Sequence, residues 1–179
     1  MTLTPRLAAA ALAMSLCAVL PVAAPAQDRA AYDAAEAALI DAWEALPLSF
    51  RTTGFVATEA SGYGMYTLRP DARFAVGEPM IVYAEPLGYA WRDNGDGTYA
   101  FGFQIDLILR NPAGEILAQQ EAFQTSTLTS RYRNREFYMN ITLNLNNAPA
   151  GDYVLDYRVI DVVTREEAVI SLPFTLVAQ

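Results

Sequence analysis

Apolar and polar residues alternate with a period of two from Leu48 to the C-terminus, and this alternation constrains the fold more than any other feature. In residues 99–110, for example, Phe101, Phe103 and Ile105 alternate with small or polar residues. Because successive side chains of a β-strand point to opposite faces of a sheet, the pattern predicts strands with one buried face. The sequence therefore predicts a mainly β chain of about seven to nine short antiparallel strands, packed as a two-sheet sandwich.

The strand positions follow from the same pattern. Gly- and Pro-containing segments at 111–114 and 149–151 are predicted turns between strands. The predicted strands are residues 48–56, 63–68, 80–85, 99–110, 115–123, 137–145, 153–159 and 170–176.

One amphipathic helix precedes the strands. It is predicted to begin at Asp28 as its N-cap and to end before Pro47. Its apolar stripe, spaced by three or four residues, consists of Tyr32, Ala35, Leu39, Trp43 and Leu46. The stripe favours packing on the chain's own sheet, whereas the acidic opposite face leaves a partner protein as the alternative. We expect residues 27–47 to form a helix packed on the sandwich, and residues 48–179 to form the sandwich domain.

The first 26 residues have the pattern of a secretory signal peptide. Arg6 supplies the positive start, an apolar run of about 16 residues follows, and small residues before Gln27 predict cleavage near Ala26. A lipoprotein signal at Cys17 is the disfavoured alternative, because Leu16 precedes that cysteine. The sequence predicts export to the periplasm or outside the cell, with no membrane span after cleavage.

The composition excludes most common catalytic sites. The chain has no histidine, all 12 of its basic residues are arginines, and its one cysteine lies in the predicted signal peptide. Serine–histidine, cysteine–histidine and serine–lysine catalysis are therefore closed to it. The formal net charge of −8, which becomes −9 without Arg6, disfavours nucleic acid as a partner.

Three acids lie within predicted strands and are the remaining candidates for hydrolysis: Glu85, Asp106 and Asp156. Glycoside hydrolysis needs two carboxyl groups close together in a cleft. Asp106 and Asp156 both fall on the outward face of their strands, where Arg158 or Arg110 on a neighbouring strand is the expected partner. We therefore do not predict an enzyme.

Two segments resemble a known group of domains. A turn ending in Gly151, followed by Tyr153 and an alternating strand that closes with Asp161, resembles the penultimate strand of bacterial immunoglobulin-like and fibronectin-type-III-like domains. Residues 74–79, with the sequence FAVGEP, resemble the opening strand of exported bacterial sandwiches of unassigned function. The resemblance covers residues 74–179 at most and lacks the two cysteines of antibody domains. It implies an immunoglobulin-like β-sandwich that binds or assembles, and a Tyr153 hydroxyl bonded to the upstream backbone.

The segment Asp93-Asn94-Gly95-Asp96-Gly97 has two interpretations. Oxygens of Asp93, Asn94 and Asp96 could wrap a calcium ion, although their spacing does not match an EF-hand. The same residues are a strong hairpin signal, because Asn-Gly and Asp-Gly favour positive φ. The hairpin is the preferred interpretation, so no cofactor is predicted and calcium is the alternative.

Residues Arg131, Arg133 and Arg135 form the one basic cluster of an acidic chain. They are predicted to lie in a loop, because three unpaired charges cannot be buried, and they could grip phosphate or carboxylate groups. Tyr89 and Trp91 either cap the core or stack sugar rings on an exposed rim.

Together these features predict an exported, non-enzymatic binding or interaction domain of the bacterial cell envelope that contacts an envelope protein. The alternative is a polysaccharide-recognition module that uses Tyr89, Trp91 and the arginine loop. The oligomeric state stays open.

Overall fold

The computed structural model describes residues 29–178, so the predicted signal peptide and its cleavage site lie outside the described residues. One helix and nine strands follow one another in this part of the chain. Their bounds are α1 Arg29–Glu44, β1 Ser49–Val56, β2 Arg73–Ala75, β3 Met80–Leu87, β4 Arg92–Asp93, β5 Tyr99–Arg110, β6 Ile116–Ser130, β7 Met139–Leu143, β8 Gly151–Asp161 and β9 Glu167–Val177. The prediction of a mainly β chain with one helix is confirmed.

The strands form two sheets. The smaller sheet has the order β1-β3-β7 and is antiparallel. The larger sheet has six strands, four of which follow the order β2-β9-β8-β5. Strand β5 pairs with β8 on one side and with β6 on the other. The short β4 pairs with the start of β5. The pair of β2 and β9 is parallel, so the larger sheet is mixed and the prediction of antiparallel strands throughout is wrong there.

The core lies between the inner faces of the two sheets. Val82 and Ile141 of the smaller sheet and Ile105 and Leu155 of the larger one are fully buried in it. The alternating positions predicted to face inward in β5, β7 and β8 are buried, as the period of two requires. The larger sheet curls into a half-barrel, and this arrangement does not identify an immunoglobulin-like sandwich.

Residues 63–68, predicted as a strand, instead belong to a long loop that covers the outer face of β3. Only isolated bridges form there, between Val56 and Leu68 and between Gly62 and Met65. The turn at Gly64 has positive φ, and its N–H is directed to side chains of β3 instead of to a neighbouring strand. The loop creates a second, small core on the outside of the smaller sheet.

Helix α1 packs on the sheets differently from the prediction. Of its residues, Ile40 and Trp43 alone are buried, whereas Tyr32 and Leu39 of the predicted stripe are 61% and 49% exposed. The Trp43 indole N–H donates to the carbonyl oxygen of Tyr89 at 2.9 Å and anchors the last turn of the helix. The apolar stripe is therefore mostly uncovered. Among the described residues, no helix is both long and apolar enough to cross a membrane.

Local side-chain predictions are confirmed on β8. The Tyr153 hydroxyl donates to the carbonyl oxygen of Pro149 at 2.7 Å, as the resemblance implied. Arg158 forms an ion pair with Asp106 on β5 at 2.5 Å, and Arg110 forms one with Asp156. Both acids are buried although they were predicted on the outward face, and each holds β5 and β8 together through its arginine.

Candidate functional site

Three segments that are distant in sequence meet at one end of the molecule: the last turn of α1, residues 87–91, and residues 131–136. The carbonyl oxygen of Asn134 accepts hydrogen bonds from the Tyr89 hydroxyl at 2.8 Å and from the Trp91 indole N–H at 3.0 Å. The two predicted aromatic residues and the predicted arginine loop are therefore in direct contact.

The aromatic side chains at this end pack beneath the arginine loop and do not form an exposed rim. Tyr89 is 1% exposed, and its ring lies 5.1 Å from Trp43 and 5.6 Å from Trp91 between centroids. Burial raises the pKa of the Tyr89 hydroxyl well above its ordinary value. A side chain this buried has no free face for a sugar ring, so the exposed-rim interpretation of Tyr89 is wrong. Trp91 is half-buried in the same cluster.

The arginine segment is a loop, as predicted, because no strand includes residues 131–138. Its three arginines do not all line one site. Arg131 is exposed, and Arg133 pairs with Glu44 of α1 at 3.3 Å and lies over the ring of Tyr99 at 5.1 Å. Arg135 lines a groove beside the helix. The three guanidinium groups therefore do not form one anion-binding cluster.

That groove has a volume of about 560 Å³ and lies between α1 and the ends of β1 and β3. Binding pockets for small ligands have volumes of about 300–1,000 Å³. One wall is apolar, and the other carries two arginines, a tyrosine and one acid. The lining residues are Leu39, Ala42, Trp43, Leu46, Arg51, Tyr63, Leu87, Arg135 and Glu136. We call this site the helix groove.

A buried acid lies behind the polar wall. Glu85 is 3% exposed, and its carboxylate accepts hydrogen bonds from the Tyr83 hydroxyl at 2.5 Å and from the Gly64 N–H at 3.2 Å. Its second oxygen lies 3.9 Å from Nε of Arg51, whose side chain is 59% exposed. Burial and the charge of Glu85 raise the pKa of Tyr63. At 3.9 Å no hydrogen bond joins Glu85 to the guanidinium of Arg51, which stays largely open to solvent.

A second, more polar cleft of about 400 Å³ adjoins the arginine loop. Tyr132 is 77% exposed there and lies beside Arg133 and Arg135. The acids Glu36 and Glu136 complete its lining, so the cleft is mixed in charge.

The predicted hairpin at residues 93–98 is confirmed. Asp93 accepts a hydrogen bond from the Gly95 N–H at 2.8 Å, and Asp96 accepts from the Thr98 N–H and hydroxyl at 3.0 and 2.6 Å. These bonds from Thr98 lower the pKa of Asp96. In residues 29–178, no three His, Cys, Asp or Glu side chains come together as a metal site would require.

Sequence reasoning missed the helix groove, because its walls come from five separate segments. Arg51 and Leu46 belong to no recognisable motif. A groove that forms when a helix docks by its last turn produces no periodic pattern in the sequence. The alternative left open for the helix was binding to a partner protein, which stays a prediction. No protein-family model matches the chain, and no curated protein matches it significantly either.

Proposed function

We propose that this chain is an exported, non-enzymatic binding domain of the bacterial cell envelope, with the immunoglobulin-like architecture that its resemblance implies. In this proposal, the helix groove is the binding site. The observation that carries it is the pairing of an uncovered apolar wall with Arg51 and Arg135. The chain offers no histidine or lysine beside this site, so recognition fits it better than catalysis.

The apolar wall extends beyond the groove. Five residues spaced by three and four along α1 and its end are all exposed: Tyr32, Ala35, Leu39, Ala42 and Leu46. The helical part of this stripe, from Tyr32 to Ala42, spans about 15 Å at 1.5 Å per residue. Such a long, narrow stripe suits the apolar face of a partner helix, because helix-in-groove recognition uses residues at the same spacing. We propose an amphipathic helical segment of an envelope protein as the occupant.

The positive charge on the polar wall of the groove favours a partner helix that carries acidic side chains. The whole chain has a formal net charge of −8, yet Arg51 and Arg135 line this groove against the single acid Glu136. An acidic side chain of the partner can therefore pair with a guanidinium at the polar wall. The binding should weaken as salt is raised, since Arg51 is largely exposed.

The test begins with the chain from residue 27 onward, carrying a photo-crosslinking residue at position 39 and incubated with envelope extract of its host. The crosslinked segment is identified by mass spectrometry and synthesised as a peptide. Its affinity is then measured from the fluorescence of Trp43, which lines the groove.

The double variant Arg51→Gln/Arg135→Gln should lose at least tenfold in affinity for this peptide. Leu39→Ser should lose a similar amount. The matched control is Arg165→Gln, which removes an exposed arginine far from the groove in sequence. Equal affinity in all variants would reject the helix groove as the site.

A second candidate function is recognition of an acidic polysaccharide in the cleft beside the arginine loop. It is favoured by Tyr132, whose exposed ring lies next to Arg133 and Arg135. A titration with an acidic envelope glycan, followed by Trp91 fluorescence, tests this function. Binding that is lost in Tyr132→Ala and retained in Leu39→Ser would favour the glycan over the peptide.

A further inference from the structure

Strand β6 leaves one edge of the larger sheet open along its length. It is 15 residues long, and its backbone pairs with β5 alone among the described strands. At the opposite edge of the sheet, the three-residue β2 pairs only with residues 175–177 of β9. An open edge presents unpaired N–H and C=O groups that can add a strand from another molecule.

Residues 124–130 are the regular part of this edge. They pair one to one with β5, from Ile105↔Gln124 to Tyr99↔Ser130, whereas the register shifts twice nearer the start of β6. Their sequence, QTSTLTS, contains no charge, proline or glycine. Native edges are usually guarded by lysine, proline or bulges, and none of these interrupts residues 124–130.

The side chains of this segment are also suited to pairing. Thr125, Thr127 and Thr129 are exposed and point away from the core, and threonine favours strands. When two such strands pair antiparallel, threonines opposite each other form favourable cross-strand contacts.

We propose that residues 124–130 are a self-association site, at which a second copy of this chain adds its own β6 antiparallel. The two-fold axis passes through Thr127. Each Thr127 then faces Thr127 of the second copy, Thr125 faces Thr129, and Gln124 faces Ser130. The same segment supplies both sides, as an isologous two-fold interface requires.

Charges at the ends of the segment select this orientation. Glu121 lies before it and Arg131 after it, and neither forms an ion pair within residues 29–178. Antiparallel pairing brings Arg131 of each copy toward Glu121 of the other. Parallel pairing would place like charges together, which is unfavourable. This local complementarity offsets the repulsion between two chains of formal net charge −8.

Single cysteines test the register, because the chain from residue 27 onward contains none. Residues directly opposite in an antiparallel pair have Cα atoms about 4.5–5.5 Å apart, which a disulfide can bridge. Thr127→Cys should therefore form a disulfide-linked dimer under mild oxidation. Thr125→Cys and Thr129→Cys should each stay uncrosslinked alone and should crosslink when the two variants are mixed.

Sedimentation equilibrium of the same chain tests the association itself. The expected result is a dimer whose dissociation constant rises at least tenfold in Thr127→Lys and is unchanged in Thr58→Lys, an exposed threonine of the long loop. Glu121→Arg should weaken the dimer, and Glu121→Arg/Arg131→Glu should restore it. Circular dichroism checks that each variant folds.

Three outcomes would overturn the proposal. They are a monomer at every concentration, a dimer that Thr127→Lys leaves intact, and self-crosslinking of Thr125→Cys or Thr129→Cys in preference to Thr127→Cys. None of these outcomes bears on the helix groove, which shares no residue with this segment.

Discussion

The larger sheet and the helix groove use arginine in opposite ways. In the sheet, Arg158 lies 2.5 Å from Asp106, a carboxylate that is almost fully buried. In the groove, Arg51 lies 3.9 Å from its nearest acid, and Arg135 forms no ion pair with any described residue. An arginine is therefore structural where it donates hydrogen bonds to a buried acid, as Arg158 does, and is free to bind a ligand where no such bond forms.

The largest loss of stability is expected when the buried acid Asp106 of the larger sheet is removed. The Asp106 carboxylate accepts hydrogen bonds from Gln104, from the Ala122 N–H and from Arg158. Ala122 has positive φ at a register shift of β6, so Asp106 also fixes that irregular turn. We expect Asp106→Ala to lower the free energy of unfolding by about 3 kcal/mol, because it removes the hydrogen bonds that three neighbouring residues make to one charged carboxylate. Urea denaturation measures this loss.

The matched control is Asp41→Ala on the exposed face of α1. An exposed acid without a buried partner should change the free energy of unfolding by about 0.5 kcal/mol or less. If the two variants unfolded at the same urea concentration, Asp106 would not hold the sheet together.

Acid should weaken the sheet through the same residue. Burial raises the pKa of Asp106, but the hydrogen bonds from Gln104, Ala122 and Arg158 outweigh it and hold the pKa below its ordinary value of 3.8. The unfolded chain therefore takes up this proton first as the pH falls, and the contribution of Asp106 to stability is lost below about pH 4. The stability difference between the native chain and Asp106→Asn should shrink over that range. Urea midpoints at a series of pH values measure it, and a constant difference would contradict the assignment.

Much of this sheet could be predicted from the sequence, because its signals are local. The alternation in β5 and β8 placed Asp106 and Asp156 on outward positions. The strand ladder then brought Arg158 opposite Asp106 and Arg110 diagonal to Asp156. The bond of Tyr153 to the backbone of Pro149 was implied by the resemblance and not by the alternation.

The helix groove could not be predicted in the same way. Its position depends on Trp43 docking against Tyr89, a contact between residues 46 positions apart. The stripe of α1 has the same 3.6-residue spacing whether a sheet covers it or not, so the pattern cannot say which occurs. The contact between Glu85 and the loop at residues 63–64 was not predicted either, because that loop was interpreted as a strand.

A smaller difference in stability is expected between variants of the two sets of arginines. Arg158→Gln should destabilise the protein more than Arg135→Gln, because the first removes the partner of a buried carboxylate and the second does not. Arg135→Gln should change the free energy of unfolding by about 0.5 kcal/mol or less, while lowering the affinity of the groove for its peptide. Thermal unfolding of the two variants under identical conditions gives the ranking. The reverse order would show that Arg135 is structural.

The smallest effect is expected from calcium, at exposed acids that already accept hydrogen bonds within their own hairpin. Asp93 and Asp96 accept hydrogen bonds from Gly95 and Thr98 within their own hairpin, and no third acid of residues 29–178 joins them as a metal site would require. A ligand that binds the folded state raises its melting temperature, so a calcium titration measures whether the hairpin holds the ion. We expect no shift in the native chain and none in Asp96→Asn. A rise that Asp96→Asn abolishes would assign calcium to this hairpin. The distinction between structural and ligand-binding arginines would then not extend to acids. An acid that already accepts hydrogen bonds would still be free to bind a cation.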